Sequence, residues 1–442
     1  MSKFTERIFI VKSDEWRLVL TLGAILFINY AAMGVTKVVS VSGFLSEVQD
    51  YYILLVWAGD MALLILATGA QSLIIDKYPR VKLLGGIILL LGAIYAILPL
   101  SFMLEGFPIK VSYTLLYLLT DQQWLVFPLV FWALVNDLYS PAQGRRLLPV
   151  IGSFAFLGTI AGLIVAQLDA IFSFGAPRLL FANALAFLFD FGILYFGLRK
   201  IQTRFVKKKS DSVGKIFSGG WDFIKTVPAF RYLSLIMFSA GITLTILLYD
   251  TLSDASLYFG DNFQHFFALY SLVIAVFSVL LQFFSGKIIS KLGIKNSFSF
   301  LPFALFFGSI LSFIIPGIWG SAPAQGLSKI TLDTVDQSNR KAYQALVPDE
   351  KRGRVSIFID NYLPSLGTIF ASLLVFGIIS WSISAGLSRE VYSSIYLALG
   401  IIGAIMAVIA FFLMRKVYDK SLLSWQMKRR SRSSSVMDKL DF

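Results

Sequence analysis

The chain has 442 residues, of which 57% are hydrophobic and 15% charged, with a mean hydropathy of +0.75, more apolar surface than a water-soluble core of this size can hide. With no Cys and a single His, His265, it excludes disulfides, thiolate metal centres and a histidine cluster, so no metal or cofactor is expected. The net charge of +13 collects in loops beside apolar runs; positive loops flanking a membrane account for it, and no nucleic-acid partner is implied.

In chain order, the first 17 residues are charged and show no small-residue cleavage site, which predicts an uncleaved start. Twelve apolar runs follow, each near the length of about 20 residues that crosses a hydrocarbon layer. They fall at 18–41, 51–75, 82–104, 112–138, 147–173 and 178–199, then at 230–252, 262–289, 296–318, 320–346, 356–381 and 391–415. The runs are continuous and not alternating, which predicts helices and not barrel strands. The tenth is the most polar, from residue 328 to 345, and suits only a helix that lines a cavity.

Residues 200–228 carry KKKSDS and then an amphipathic stretch, 216–227, predicted to lie on the membrane with Phe217, Trp221 and Ile224 toward lipid. The predicted organisation is a six-helix bundle over 1–199, a cytoplasmic linker over 200–229 and a second six-helix bundle over 230–415. A basic tail over 416–442 is predicted to be disordered and drawn to anionic lipid. Lys77, Arg80, Lys82, Arg145, Arg146, Lys207, Lys287, Lys291, Lys351, Arg352 and Arg354 fall on the side shared by both termini, whereas the opposite loops hold Lys110, Arg178 and Arg389. Both termini are therefore expected in the cytoplasm of a multi-pass membrane protein, with a bacterial inner membrane the expected site.

The two halves rhyme. Arg145 precedes an LGTI tetrad at 157–160 by the spacing at which Arg354 precedes a second LGTI at 366–369, and IIDK at 74–77 is echoed by IISK at 288–291. A duplicated six-helix unit follows. The fold class expected is an all-α integral membrane protein of twelve helices, two six-helix repeats around a central cavity, which resembles the major-facilitator-type secondary transporters. No Gly-rich phosphate loop, metal-ligand spacing or nucleophile elbow is present, so the reading is a transporter driven by gradients or exchange and not an enzyme.

Polar groups inside spans are costly and mark function or a partner. In such a repeat transporter helices 1, 4, 7 and 10 surround the cavity, and the embedded polar residues concentrate there. Candidate substrate-binding residues are Asn29, Tyr30 and Lys37 in helix 1, Asp121, Gln123 and Asn136 in helix 4, Tyr249 and Asp250 in helix 7, and Gln337 and Arg340 in helix 10. Lys37 either binds an anionic group of the substrate or neutralises Asp121 or Asp250. Asp60 and Asp190 are buried hydrogen-bonding groups or sites of proton uptake. Asp137, Arg145, Arg146, Arg352, Arg354 and Asp360 are candidate gating residues, whose ion pairs between the halves would close the cytoplasmic mouth.

Residues 131–162, FWALVNDLYSPAQGRRLLPVIGSFAFLGTIAG, and residues 347–368, VPDEKRGRVSIFIDNYLPSLGT, resemble segments of the bacterial and plastid nucleotide transporters, the ATP/ADP translocase family; TKVVSVSGF at 36–44 is similar more loosely. The resemblance implies exchange of an adenine nucleotide, with Lys37 at the family's helix 1 Lys and Asp121 and Asp250 near its acidic positions. Thr368 stands where that family has a helix 11 Lys, and Val38 and Gly34 replace a charged pair around Lys37. Fewer cations leave related nucleotides or another organic anion as substrate. The partners expected are thus a small anionic solute, membrane lipids and, in a proton-coupled symporter or exporter, protons, with the chain acting as a monomer.

Overall fold

The computed structural model describes residues 11–12, 14–74, 78–199, 221–344, 347 and 349–437, with side chains left out at 70–74, 141, 142, 145, 349–351, 420 and 422–437. Among the described residues the chain is helical throughout and has no strand. In lipid every backbone N–H and C=O must be satisfied within the protein, and continuous apolar runs satisfy them as helices. The first six are α1 (Trp16–Glu47), α2 (Ile53–Ile74), α3 (Arg80–Met103), α4 (Ile109–Leu138), α5 (Pro141–Phe172) and α6 (Ala176–Leu198). Then come α7 (Pro228–Phe259), α8 (Phe263–Leu292) and α9 (Phe300–Ile314).

Helix α10 starts as Ile318–Thr331, passes through a π turn, Leu332–Asp336, and resumes as Gln337–Gln344. Helix α11 is built alike, Asp349–Ile357, a π turn at Phe358–Tyr362, then Leu363–Ser384. Helix α12 is Arg389–Met437. Among the described residues ten segments are long and apolar enough to cross a membrane; one, Pro228–Leu292, takes in both α7 and α8, and α10 is too polar to qualify.

Start signals are local. Ser140 caps α5 in a capping box with Gln143, and Pro141 follows where a missing N–H costs nothing. Long apolar helices need little help of this kind, and several ends carry no side-chain cap.

The chain forms two compact units, one of residues 1–213 with 252–279, the other of 214–251 with 280–442. In the first, α1 packs against α5, α4 and α6. Its Leu22 and Ile25 are buried, and Phe127 and Phe131 of α4 and Phe187 of α6 complete the core around it. In the second, α9 packs on α10 and α12, and small residues such as Ala240, Ala404 and Ala407 sit in its core.

The LGTI rhyme has a packing cause in each unit. A Cβ on Gly158 would stand 2.3 Å from the Phe27 carbonyl oxygen of α1, and one on Gly162 2.1 Å from that of Ala31. A Cβ on Gly367 would stand 2.3 Å from the Phe238 carbonyl oxygen of α7, and one on Gly241 2.4 Å from that of Pro364. The tetrad marks where α5 lies directly on α1 and where α11 lies directly on α7. Without a strong hydrophobic drive between helices in lipid, such backbone contact supplies the dispersion that holds them.

The IIDK copy falls outside the described side chains, while IISK lies on the last turns of α8. Two expectations need correction. Ile224, read as facing lipid, is buried with Phe223 beside it, and Phe223 meets Phe230 edge to face at 5.2 Å. Trp221 is exposed as expected, although one face approaches Phe358 at 6.3 Å; Phe217 lies outside the described residues. The segment packs on the bundle through Phe223 on Phe230 and Trp221 on Phe358. The tail, read as disordered, continues α12 as helical backbone to Met437, since extending an existing helix costs far less than starting one.

Candidate functional site

In the first unit, α1 presents Lys37 to α4, where Tyr117 and Asp121 lie four positions apart and so share a face. The Lys37 ammonium donates to Asp121 Oδ1 at 2.9 Å and Oδ2 at 3.2 Å and to the Tyr117 hydroxyl at 3.0 Å, with its Nζ 4.3 Å from the Tyr117 ring centroid. The Lys37 side chain keeps 38% of its surface open, Asp121 21%. From α2, Asp60 is fully buried. Its Oδ1 accepts from Gln122 Nε2 at 3.0 Å, and its Oδ2 has no hydrogen-bond partner. Asp60 is within electrostatic reach of both Asp121 and Lys37. One cation and two carboxyl groups thus form a single cluster.

Below that cluster in sequence, Asn29 and Gln123 are buried and bond to each other, Gln123 Nε2 donating to Asn29 Oδ1 at 2.9 Å, while the Tyr95 hydroxyl donates to Gln123 Oε1 at 2.5 Å. This network ties α1, α3 and α4 together. Tyr30 is half-buried and Asn136 is exposed. Tyr95 was invisible to the sequence reading, since an aromatic residue in an apolar run reads as core.

The candidate gating residues of this unit find partners within it. Asp137 pairs with Arg80, which also donates to the Ala133 carbonyl at 3.1 Å. Arg146 grips Glu15 with both terminal nitrogens, one at 2.6 Å, and Gln143 adds a bond at 3.1 Å. Those donors, the Arg146 guanidinium first, hold the Glu15 carboxyl down at about 2 against the opposing effect of burial. Glu15 was missed, although an acid just ahead of the first apolar run and among basic residues was a usable signal. The side chain of Arg145 lies outside the described residues.

Near the other end of α5, Gln264 of α8 joins two helices. Its amide donates to Asp169 Oδ2 at 2.6 Å and accepts from Ser42 Oγ at 3.3 Å, while Asp169 Oδ1 accepts the Gly175 N–H at 2.9 Å. His265 is exposed and meets Gln167 at 2.8 Å, and Ser253 donates to Asp50.

In the second unit, Asp250 accepts from Ser312 Oγ at 2.5 Å and from the Tyr396 hydroxyl at 2.7 Å. Tyr249, also buried, meets the Tyr396 ring edge to face at 5.5 Å. Thr368 accepts from Thr245 at 3.0 Å. Arg340 is buried; its Nε donates to Asp336 at 2.6 Å and its Nη1 to Asp360. Asp360 also takes Lys341 at 2.9 Å and Gln344 at 3.0 Å. A candidate substrate residue, Arg340, and a candidate gating residue, Asp360, therefore belong to one cluster, and both carboxylates come from π turns. Gln337 is exposed, Arg352 donates to the Val347 carbonyl at 3.0 Å, and Arg354 is half-buried.

No protein-family model and no curated protein matches the chain. Solved structures do. The chain superposes on a point-mutant form of the nucleoside transporter NupG with a TM-score of 0.67 at 14% identity, covering 91% of this chain and 100% of that one. A bacterial homolog of the human lysosomal transporter Spinster gives 0.64 at 15% identity over 94% and 99%. A bacterial homologue of the iron transporter ferroportin gives 0.60 at 18% identity over 92% and 100%. The fold is of the major-facilitator type. At these identities the likeness carries the helical architecture, and the chemistry has to come from the clusters themselves.

Proposed function

We propose that this chain is a secondary transporter that moves a small organic solute by alternating access, coupled to protons through Asp60, Asp121 and Lys37. The observation that carries this reading is the buried Asp60 with one free oxygen beside an ion pair. A proton arriving at this cluster has a low-coordinate carboxyl oxygen to bind, and it changes how tightly Asp121 holds Lys37. An enzymatic role has no support in these groups, for they lack a nucleophile paired with a base and a metal-ligand set. Membrane residence rests on the ten apolar segments, and cytoplasmic termini on the one-sided Lys and Arg. We take 1–199 and 230–415 as the two bundles and the active form as a monomer surrounded by lipid.

A second reading keeps Lys37 as a substrate ligand in an exchanger of an organic anion, a nucleotide or its relative. Two observations favour it: the Lys37 side chain remains 38% open, and a nucleoside transporter is among the structural neighbours. Asn29, Tyr30, Gln123, Asn136, Tyr249, Asp250, Gln337 and Arg340 remain its proposed supporting substrate contacts, and Asp137, Arg145, Arg146, Arg352, Arg354 and Asp360 the proposed gating set.

Vesicles carrying the purified chain, preloaded with a panel of nucleosides, nucleotides and organic anions, separate the two readings. Proton coupling requires that an imposed pH gradient drives accumulation and that Asp60→Asn abolishes this drive while sparing counterflow. Counterflow of anions alone, indifferent to the gradient and to Asp60→Asn but lost in Lys37→Gln, establishes the exchanger in its place.

A further inference from the structure

The second unit holds a titratable group that the reading above does not use. Asp336 and Asp360 share Arg340, yet their coordination is unequal. Asp360 is bound by Arg340, Lys341 and Gln344, and Ser356 fixes Gln344 in turn by donating to its Oε1 at 2.9 Å. Asp336 Oδ2 receives Arg340 Nε at 2.6 Å. Its Oδ1 is buried and has no hydrogen-bond partner, although Asp336 itself is only 1% exposed. A carboxylate oxygen buried without a donor is costly, and a proton is the smallest ligand that removes the cost.

The surroundings narrow the ligand further. The charged groups acting on Asp336 are Arg340 from its own helix and Asp360 from α11. Lys329 on the preceding turns is occupied by Asp333 at 2.9 Å, and Lys295, ahead of α9, by Asp419. Lys341 is turned to Asp360. A metal cation would have to sit against the Arg340 guanidinium, which opposes it, and an anion would face two carboxylates. A proton on Oδ1 meets neither objection.

The site is also built by the backbone at a cost. Each of α10 and α11 carries one π turn, and the acids lie within them, Asp336 closing the first and Asp360 in the middle of the second. Asp336 and Arg340, four positions apart, share one face of α10, and the π turn of α11 sets Asp360 against the same guanidinium. Such turns persist mostly where function requires them.

We propose that Asp336 is a proton-binding site of the second unit: proton uptake on its carboxylate gives the neutral acid and leaves Arg340 held by Asp360 alone. The site does not rest on the role assigned to Asp60 and Asp121. Infrared difference spectroscopy of the full chain in lipid, between acidic and neutral pH, tests it without a known substrate. The measurement is made with Asp60→Asn, Asp121→Asn and Asp190→Asn in place, so that these acids of the first unit cannot supply the signal. A protonated-carboxyl band that titrates, is lost in Asp336→Asn and survives in Asp360→Asn is the expected result. The same band at full amplitude in folded Asp336→Asn overturns the proposal. Should that variant fail to fold, Asp336→Glu decides: a band moved in frequency and midpoint supports the site, and one unmoved from the parent's refutes it.

Discussion

Each unit contains a basic residue shared among acids, but the two are made differently. Lys37 is a half-open ammonium on an uninterrupted helix, facing Tyr117 and Asp121 one turn apart. Arg340 is buried between two π turns and clasped from both sides. A lysine is a mobile point charge that changes partners readily, whereas a guanidinium is a planar fork whose bonds are set by geometry. The contrast assigns partner exchange to the first cluster and a fixed joint between α10 and α11 to the second.

Removing the cation breaks the comparison most sharply. Arg340→Ala strands two carboxylates in a buried setting and should cost about 3–5 kcal/mol, seen as a large drop in thermal stability in detergent. Lys37→Ala, half-open, should cost under about 2 kcal/mol; equal losses would remove the distinction. Next comes backbone contact, which both units share. Gly158→Ala and Gly367→Ala each push a methyl into a carbonyl oxygen, so each should lose roughly 1–3 kcal/mol, and the two losses should be similar if the packing is duplicated.

Conservative exchange sharpens the contrast in function. Lys37→Arg should keep part of the transport and Arg340→Lys almost none, because only the second site depends on a fork. Pairing Lys37→Gln with Asp121→Asn should recover transport lost in Lys37→Gln alone if the lysine only balances the acid; in the exchanger reading the double variant stays inactive.

The smallest effect belongs to Glu15. Its carboxyl is held at about 2 against an ordinary 4.5, so a depressed acid contributes stability that is complete above about 4.5 and disappears as pH falls toward 2. Glu15→Gln should lower the melting temperature at pH 7 by a few degrees and leave wild type and variant alike near pH 2.

Much of this architecture was legible in the sequence because lipid imposes simple demands. Apolar runs had to be helices, and LGTI repeated because a glycine is needed wherever one helix backbone rests on another. Lys37 and Asp121 were readable as partners, since a charge within a span requires one. Asp336 stands one helical turn from Arg340, a spacing the sequence does show, whereas the partnership with Asp360 was not legible because it joins two different helices. Glu15 with Arg146, and Asn29 with Gln123 and Tyr95, join positions far apart in the chain, and no local pattern points from one to the other. Ile224 went astray because amphipathicity shows that a face is apolar without showing what covers it.

Helix α5 is anchored at its two ends by unlike chemistry. Near its start Arg146 and Glu15 form an ion pair, and near its finish Asp169 is held by the neutral amide of Gln264 and the Gly175 N–H. Dissolved salt weakens attraction between partly open opposite charges and hardly touches a bond from an uncharged donor. Raising the ionic strength should therefore weaken the Ser140 end of this rod slightly, because Glu15 is buried, and leave the Asp169 end unchanged.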